Sequence, residues 1–429
     1  MAEDDAFLRE IIATPDDDGP RLVYADWLEE RGDPRAELIR VQCEEARLGD
    51  CARRAKLRSR AKQLLTAHGK EWTASLDADG GSEFRDPEYH RGFVEAAKMS
   101  LRFFLRSGAG VMSRTPLRRL TLTSGDSLLP KLARTELLLR LRQLHFAHNE
   151  FPEQHAIEFV QSPNLTNLQN FRMHGYRLYS VAFGVALIGA SFQNLVALDL
   201  GFAHTMSADW VEVLLRSPWL RNIESLRLCG LSDAAVREVV SSPLLVKLKA
   251  WDLSALRLPL SAETGRALAA SPMAARLEQL KLENRWMDAG GLRAMAAGNW
   301  PLLHYLNFND AHLGTAGVQA LAAGNWPALK VLNLADAEMG SEGLAALLGR
   351  PWLKSLERLS LRGNNLTKQD VLDLIGSPNW SHKTDINLAD NQLTREDAQE
   401  IQQKLGRIGP LRAELRRVTE GRRPILIHE

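Results

Sequence analysis

Short runs of alternating apolar and polar residues recur along most of the chain at a nearly constant spacing. Eleven segments follow the skeleton Leu-x-x-Leu-x-Leu or a close variant, such as LRRLTL at 117–122, IESLRL at 223–228 and LERLSL at 356–361. Their closing positions fall at 122, 146, 173, 200, 228, 250, 282, 308, 334, 361 and 388. Because the last three positions alternate apolar, polar and apolar, each unit is predicted to contain a short strand with one buried face.

The other half of each unit predicts a helix. A residue that suits a helix N-cap precedes a run of helix formers, and a Gly or Pro then ends the run. The predicted caps are Ser207, Ser232, Ser261, Asp288, Thr315, Ser341, Thr367 and Thr394. The six residues AAGNWP stand at such an end twice, at 296–301 and at 322–327. The tryptophans that recur at these turns are predicted to be structural wedges and not binding aromatics: Trp300, Trp326, Trp352 and Trp380.

A repeat of 26–28 residues with one strand and one full helix resembles the leucine-rich repeat, in particular its ribonuclease-inhibitor-like subclass. The resemblance covers residues 117–405. It implies an α/β solenoid with parallel strands on the concave face and helices on the convex face. The Asn expected three residues after the closing position is present only as Asn149, Asn364 and Asn391. Steps of 22 and 32 residues flank position 250, so the middle of the array is predicted to be less regular.

The first 50 residues differ in composition, with 15 acidic and 6 basic side chains. They predict a small all-α domain of three helices. The segment DDDGPRLVYADWLEERGDPR resembles the repeat-companion domain, a short bacterial module without an assigned activity that accompanies repeat proteins. Residues 51–70 reverse the charge, with seven basic residues and no acidic one. A solvated helix lying against the acidic domain is the favoured interpretation, and a nucleic-acid contact is the alternative.

The predicted domains are therefore a helical domain at 1–50, a basic helix and N-terminal cap at 51–115, about eleven repeats at 116–405, and a C-terminal cap or tail at 406–429. A solenoid needs such caps because its two ends would otherwise expose apolar surface. FVEAAKM, within 84–100, is predicted to be an extra first strand.

Bulk properties narrow the class of function. The 429 residues carry a net charge of +1, so no global field attracts nucleic acid or a membrane surface. Three cysteines, Cys43, Cys51 and Cys229, are too few for a disulfide framework. The acidic N-terminus lacks the apolar region of a secretory signal, and no apolar run has the length of a membrane span. We therefore expect a cytoplasmic protein.

Candidate chemistry is sparse, since the chain has no P-loop, GxGxxG, GxSxG or HExxH motif. A histidine group is the best candidate for a metal-assisted or catalytic site. It consists of His145, His148, His155 and His174, with Glu150 nearby. Neighbouring strands supply two ligands, but a third is not evident. Cys229 is expected on the concave face as an unreactive small side chain. We expect no enzyme activity, no cofactor and no metal.

The concave face remains as the expected working surface. Residues that flank each closing position are predicted to point out from the sheet. Arg and Trp often anchor interfaces, so the arc around Arg172, Arg227, Lys249, Trp251 and Lys281 is predicted to bind a partner protein with an acidic surface. The remaining predicted contacts are His174, Asp199, Glu283, Asn307, Asn309, Asn333 and Arg362.

Overall fold

The computed structural model describes residues 2–76, 83–147, 151–174, 180–201, 208–254 and 259–405. The predicted C-terminal cap at 406–429 lies outside the described residues. The chain divides into two compact units. Unit 1 comprises residues 1–178 and 189–195, and unit 2 comprises residues 179–188 and 196–429.

Unit 1 begins with an all-α region. Its helices are α1 (Ala2–Ala13), α2 (Gly19–Glu29), α3 (Arg35–Arg47) and α4 (Ala52–Ala74). The first three confirm the predicted three-helix front. Their shared core includes Leu8, Ile11, Tyr24, Leu28 and Ile39, and Phe93 from the following strand also packs into it. The helical region is therefore joined to the first strands of the unit by a common core.

The repeats of unit 1 follow a two-stranded hairpin. The elements are β1 (Arg85–His90), β2 (Phe93–Ser100), α5 (Leu101–Met112), β3 (Arg119–Thr123), α6 (Leu129–Ala133), β4 (Gln143–Ala147), α7 (Glu153–Val160) and β5 (Asn170–Met173). β1 pairs with β2 antiparallel, while β2, β3, β4 and β5 pair in parallel and in sequence order. The extra first strand predicted within 84–100 is confirmed as β2.

Unit 2 alternates helices with three-residue strands. Its elements are α8 (Val181–Ile188), β6 (Ala197–Asp199), α9 (Ala208–Leu214), β7 (Ser225–Arg227), α10 (Asp233–Ser241), β8 (Ala250–Asp252), α11 (Ala262–Ala270), β9 (Gln279–Lys281), α12 (Ala289–Ala296), β10 (Tyr305–Asn307), α13 (Gly314–Ala322), β11 (Val331–Asn333), α14 (Gly340–Leu348), β12 (Arg358–Ser360), α15 (Lys368–Gly376), β13 (Asp385–Asn387) and α16 (Arg395–Leu405). Strands β6 to β13 pair in parallel and in sequence order. This is the predicted α/β leucine-rich repeat fold, with an all-α region at the N-terminus of the chain.

The helix starts confirm most of the predicted caps. Side-chain oxygens of Ser232, Ser261, Asp288 and Thr367 accept hydrogen bonds from the first turn of their helices, and Thr394 accepts one from the backbone N–H of Asp397. Ser207 lies outside the described residues.

Two predicted caps are wrong. Helices α13 and α14 begin at Gly314 and Gly340, two glycines with positive φ angles. Thr315 and Ser341 therefore lie inside the first turn of their helices and do not precede it. The two hydroxyls instead connect repeats, because Thr315 donates to the Met339 carbonyl and Ser341 donates to the Asp370 carboxylate.

The repeated AAGNWP segment closes a helix against an indole ring. The Nε1–H groups of Trp300 and Trp326 donate to the carbonyls of Met295 and Leu321 at 2.9 and 3.1 Å. Both rings are buried, as are Trp352 and Trp380, which confirms the predicted wedges. A Cβ at Gly324 would lie 2.7 Å from Nε1 of Trp326. The glycine is therefore required by the close approach of the ring.

We expect Gly324→Ala to lower the free energy of unfolding by about 1–3 kcal/mol, because the added methyl group overpacks the helix end. Gly349→Ala is the matched control, since a Cβ there meets nothing within 4 Å and its φ is −76°. That change should be neutral or stabilise the chain by up to about 1 kcal/mol. Urea denaturation of both variants measures the difference, and equal losses would contradict the packing account.

Candidate functional site

The strand face of unit 1 carries a column of polar side chains in register. Lys98, Thr121, His145 and Arg172 occupy equivalent positions on β2, β3, β4 and β5. Adjacent strands are about 4.8 Å apart, so the column is roughly 14 Å long. Its two ends are cationic, and all four residues are half-buried. The prediction that Arg172 and His145 point out from the sheet is therefore confirmed.

An open groove lies over this column. It has a volume of about 550 Å³ and is lined by residues of all five strands of unit 1. Asp86 and Glu88 of β1 form part of its wall, and Glu88 pairs with Arg119 at 2.9 Å. The Lys98 ammonium group has no hydrogen bond or ion pair to another described residue. The groove therefore presents an ammonium group that no carboxylate of the described chain neutralises.

The histidines of this face do not form a metal site among the described residues. The rings of His145 and His174 meet edge to face, with centroids 6.3 Å apart. Nε of Arg172 donates to Nε2 of His174 at 3.2 Å, which occupies that ring nitrogen as an acceptor. Within the described segments no three His, Cys, Asp or Glu side chains converge as ligands. His148 and Glu150 lie outside the described residues.

The strand face of unit 2 was predicted to be basic, but its Arg227 side chain is paired with carboxylates of the same unit. Arg227 lies between two carboxylates on neighbouring strands, at 3.5 Å from Asp199 and 3.3 Å from Asp252. Its Nε also donates to Sγ of Cys229. Arg227 and Asp199 are on the predicted face, but the Arg227 guanidinium is compensated within the unit.

The prediction for Lys249 and Trp251 is wrong, because the sequence pattern was aligned three residues too early in this repeat. Trp251 pairs in register with Leu226 and Leu280, and it is 1% exposed. The strand closes at Leu253, so the irregular steps of 22 and 32 residues become 25 and 29. Lys249 precedes the strand and pairs with Glu224 at 2.9 Å.

Asn and Asp side chains of unit 2 fold back onto their own strand ends. Their Oδ1 atoms accept from the backbone N–H two residues later, at 2.9–3.0 Å. The residues that do so are Asp199, Asp252, Asn307, Asn333 and Asn387. This Asx turn gives the recurring Asn a structural purpose, which sequence reasoning had assigned to a partner.

Asn307 was predicted to point out from the sheet, and that prediction is wrong. It is 2% exposed, because its amide donates to Glu283 and to the hydroxyl of Tyr305. The other predicted contacts of this unit are half-buried on the face: Lys281, Glu283, Asn309, Asn333 and Arg362. Lys281 lies 5.7 Å from the ring centroid of Tyr305, and Arg362 pairs with Asp390 at 2.6 Å.

Cys229 behaves as the unreactive side chain that the sequence predicted. The residue is 7% exposed, and burial raises the pKa of its thiol to about 11. The thiol is therefore protonated near neutral pH, whereas a nucleophilic cysteine reacts as the thiolate.

The basic helix α4 lies against the acidic domain, as the favoured interpretation predicted. Arg58 pairs with Glu45 at 3.0 Å and Arg60 pairs with Glu37 at 2.6 Å. Arg53 also pairs with Glu44. These pairs use cations that a nucleic-acid contact would need.

A buried ion pair was missed by the sequence reasoning. Arg21 of α2 is fully buried, and its Nη2 lies 2.7 Å from Oε1 of Glu95 on β2. Glu95 also binds Arg118 at 2.7 Å, and Arg118 binds Asp16 at the same distance. Arg21 falls within the predicted three-helix domain, and its partner Glu95 is 74 residues away in the sequence, so the pair could not be inferred. We call Arg21, Glu95, Arg118 and Asp16 the hairpin clamp.

The hairpin turn is held by further contacts to the same helices. The backbone N–H of Gly92 donates to Gln42, and the Gly92 carbonyl accepts from Arg35. A Cβ at Gly92 would lie 2.1 Å from Cγ1 of Ile39, and its φ is +85°. The helical region therefore fixes the position of β2, which supplies Lys98 to the groove.

Within the described segments no helix has the length and hydropathy that crossing a bilayer requires.

Comparison with known proteins supports the repeat assignment. Residues 301–322 and 327–348 match the family model of the Leucine Rich repeat. No curated protein matches the chain. One solved structure, titled "Crystal structure of Rad7 and Elc1 complex in yeast", is 16% identical with a TM-score of 0.41, covering 85% of this chain and 90% of that one. Two repeats, at 301–322 and 327–348, therefore match the Leucine Rich repeat model, and the other described repeats share their alternation of strand and helix.

Proposed function

We propose that the protein is a non-enzymatic protein-interaction scaffold, and that the groove of unit 1 binds an acidic segment of a partner protein. The observation that carries this proposal is the polar column from Lys98 to Arg172, which lies on the floor of an open groove. A ligand lying along the column would cross four strands and meet a cation at each end. Carboxylates spaced along an extended or helical segment match this arrangement.

The difference between the two strand faces favours unit 1 for this role. Arg227 in unit 2 is compensated by Asp199 and Asp252, and Trp251 is buried. Lys98 has no acidic partner among the described residues. The acidic partner expected from the sequence is therefore retained in the proposal. Its contacts move from Arg227, Lys249 and Trp251 to Lys98, with Arg172 and His174 kept.

The outward residues of unit 2 remain proposed secondary contacts. Lys281, Glu283, Asn309, Asn333 and Arg362 reach the face of their own unit. Because Asn333 uses Oδ1 internally, its amide N–H groups are held in a fixed direction. Such donors would bind carbonyl oxygens of a partner with little loss of side-chain entropy.

We further propose that the helical region is a repeat-companion domain of a bacterial protein that works in the cytoplasm. The three cysteines are free, which suits a reducing compartment. The role proposed for the domain is to position β2, since Arg21, Arg35 and Gln42 all contact the hairpin.

An affinity experiment with matched charge reversals tests the proposed function. The baits, used in lysate of the source cell, are the intact protein, the groove variant Lys98→Glu/Arg172→Glu and the control Lys249→Glu/Lys330→Glu. Lys249 and Lys330 are exposed residues of unit 2 that pair with Glu224 and Glu357. We expect a partner that the intact and control baits retain and that the groove variant loses by at least tenfold. Its capture should also weaken as salt is raised, since exposed charges are screened.

Circular dichroism confirms that the three baits are folded. Retention of the same partner by the groove variant would exclude the groove as the binding surface. Equal loss from the groove variant and the control would show that general charge, and not this site, governs capture.

A further inference from the structure

A second cleft in unit 1 has the features of a binding site and is separate from the strand-face groove. It lies between the end of α1 and the segments that enter β3, β4 and β5, and its volume is about 440 Å³. Ligand pockets commonly have such volumes. Its apolar walls include Ile12, Pro15, Pro116 and Leu139. We call it the Arg140 cleft.

Three arginines line the cleft, and they differ in whether a carboxylate pairs with them. Arg118 and Arg142 both bind the Asp16 carboxylate, at 2.7 and 3.2 Å. Arg140 is half-buried, and its one described partner is the neutral carbonyl of Met112 at 2.6 Å. Among the described residues no carboxylate pairs with it. Burial lowers the pKa of Arg140, as expected for a cation without a counter-ion.

Amide side chains beside Arg140 leave acceptors available in the cleft. Nδ2 of Asn167 donates to the Leu139 carbonyl at 2.7 Å, and Nδ2 of Asn194 donates to the Thr166 carbonyl at 2.9 Å. These bonds fix the amide orientation, so Oδ1 is the atom left to accept from a ligand. Both amides line the cleft and are exposed. The cleft thus combines one guanidinium that has no carboxylate partner among the described residues, two oriented acceptors and apolar walls.

We propose that the Arg140 cleft binds the C-terminal end of a polypeptide that has an apolar last residue. The terminal carboxylate would accept from the Arg140 guanidinium, backbone N–H groups would donate to Asn167 or Asn194, and the last side chain would pack on Ile12 and Leu139. Arg140 is the one guanidinium of the cleft that lacks a carboxylate among the described residues, since Arg118 and Arg142 already bind Asp16, and one such guanidinium matches a monoanion. This proposal is independent of the proposed function of the groove.

Fluorescence anisotropy with a defined probe tests the proposal. The probe is a fluorescein-labelled Gly-Ala-Leu-Val peptide with a free C-terminus, and its C-terminal amide is the matched ligand. We expect the free acid to bind at least about tenfold more tightly than the amide, because the charge-assisted hydrogen bond to Arg140 is lost. Arg140→Gln should weaken the free acid by a similar factor and leave the amide unchanged. Arg134→Gln is the control, since Arg134 is exposed and pairs with Glu158.

Further arms separate the alternatives. Equal binding of acid and amide, or unchanged binding to Arg140→Gln, would overturn the proposal, as would absence of binding by the intact protein. If 3-methylbutanoate displaces the probe with the affinity of the peptide itself, the ligand is a small organic acid and the peptide assignment is wrong. Lys98→Glu/Arg172→Glu should bind the probe normally, so failure of the groove proposal would not affect this result. Hydrogen exchange of α5 checks that Arg140→Gln retains the helix end that Arg140 contacts.

Discussion

Replacing Glu95 with alanine is expected to destabilise unit 1 by about 3–5 kcal/mol. The change removes the carboxylate that faces the fully buried Arg21 guanidinium and leaves a charge without compensation. Arg118 loses the same partner. Hydrogen exchange of residues 93–99 measures the loss locally, because it reports the opening of β2. Glu88→Ala is the control, since Glu88 is exposed and its pair with Arg119 should contribute less than about 1 kcal/mol.

The effect should depend on pH with a defined sign. Burial alone would raise the pKa of Glu95, but the neighbouring His90, Arg118 and Arg21 outweigh it and the pKa is lowered. A carboxyl with a lowered folded pKa stabilises the protein above its unfolded pKa, and that contribution is lost as pH falls through the folded value. The difference between intact protein and Glu95→Ala should therefore be largest near neutral pH and shrink in acid. A stability difference between the two proteins that grows in acid would contradict the proposed role of Glu95 in the hairpin clamp.

Trp251→Ala is expected to lower the free energy of unfolding of unit 2 by about 3–5 kcal/mol. The indole occupies the core position that Leu226 and Leu280 hold in the neighbouring repeats, so truncation leaves a large cavity. Lys249→Ala is the control and should change stability by less than about 1 kcal/mol, because the Lys249–Glu224 pair is exposed. Urea denaturation followed by circular dichroism measures both. A small loss for Trp251→Ala would indicate that the ring lies on the surface, as the original alignment of the repeat implied.

The repeat fold could be predicted from the sequence because its signal is local. Strand alternation, helix caps and the AAGNWP ends each depend on residues close together in the chain. The error at Trp251 arose because the motif was read as Leu-Lys-Ala at 248–250. Leu248, Trp251 and Leu253 have the same spacing as the apolar residues of other units, so treating Trp as a core residue would have found the register.

The site was less predictable because its determinants are contacts between distant residues. Arg227 looked like a free cation until Asp252 from the next strand was placed beside it. The recurring Asn residues looked available until their oxygens were found bonded to their own backbone. Arg21 and Glu95 are brought together only by the docking of α2 on the hairpin. Pairing across strands, which sets the net charge of a face, requires the register that the structure provides.

Photo-crosslinking from the floor of the groove tests the central claim most directly. A photoreactive benzoylphenylalanine replaces Thr121, which lies between Lys98 and His145 in the column. In a control protein it replaces the exposed Gln319 of α13. Irradiation in lysate should give a discrete adduct from position 121 and no matching adduct from position 319. The adduct from position 121 should disappear when the same protein also carries Lys98→Glu and Arg172→Glu. An adduct from position 319 alone, or one from position 121 that survives the charge reversal, would contradict the account.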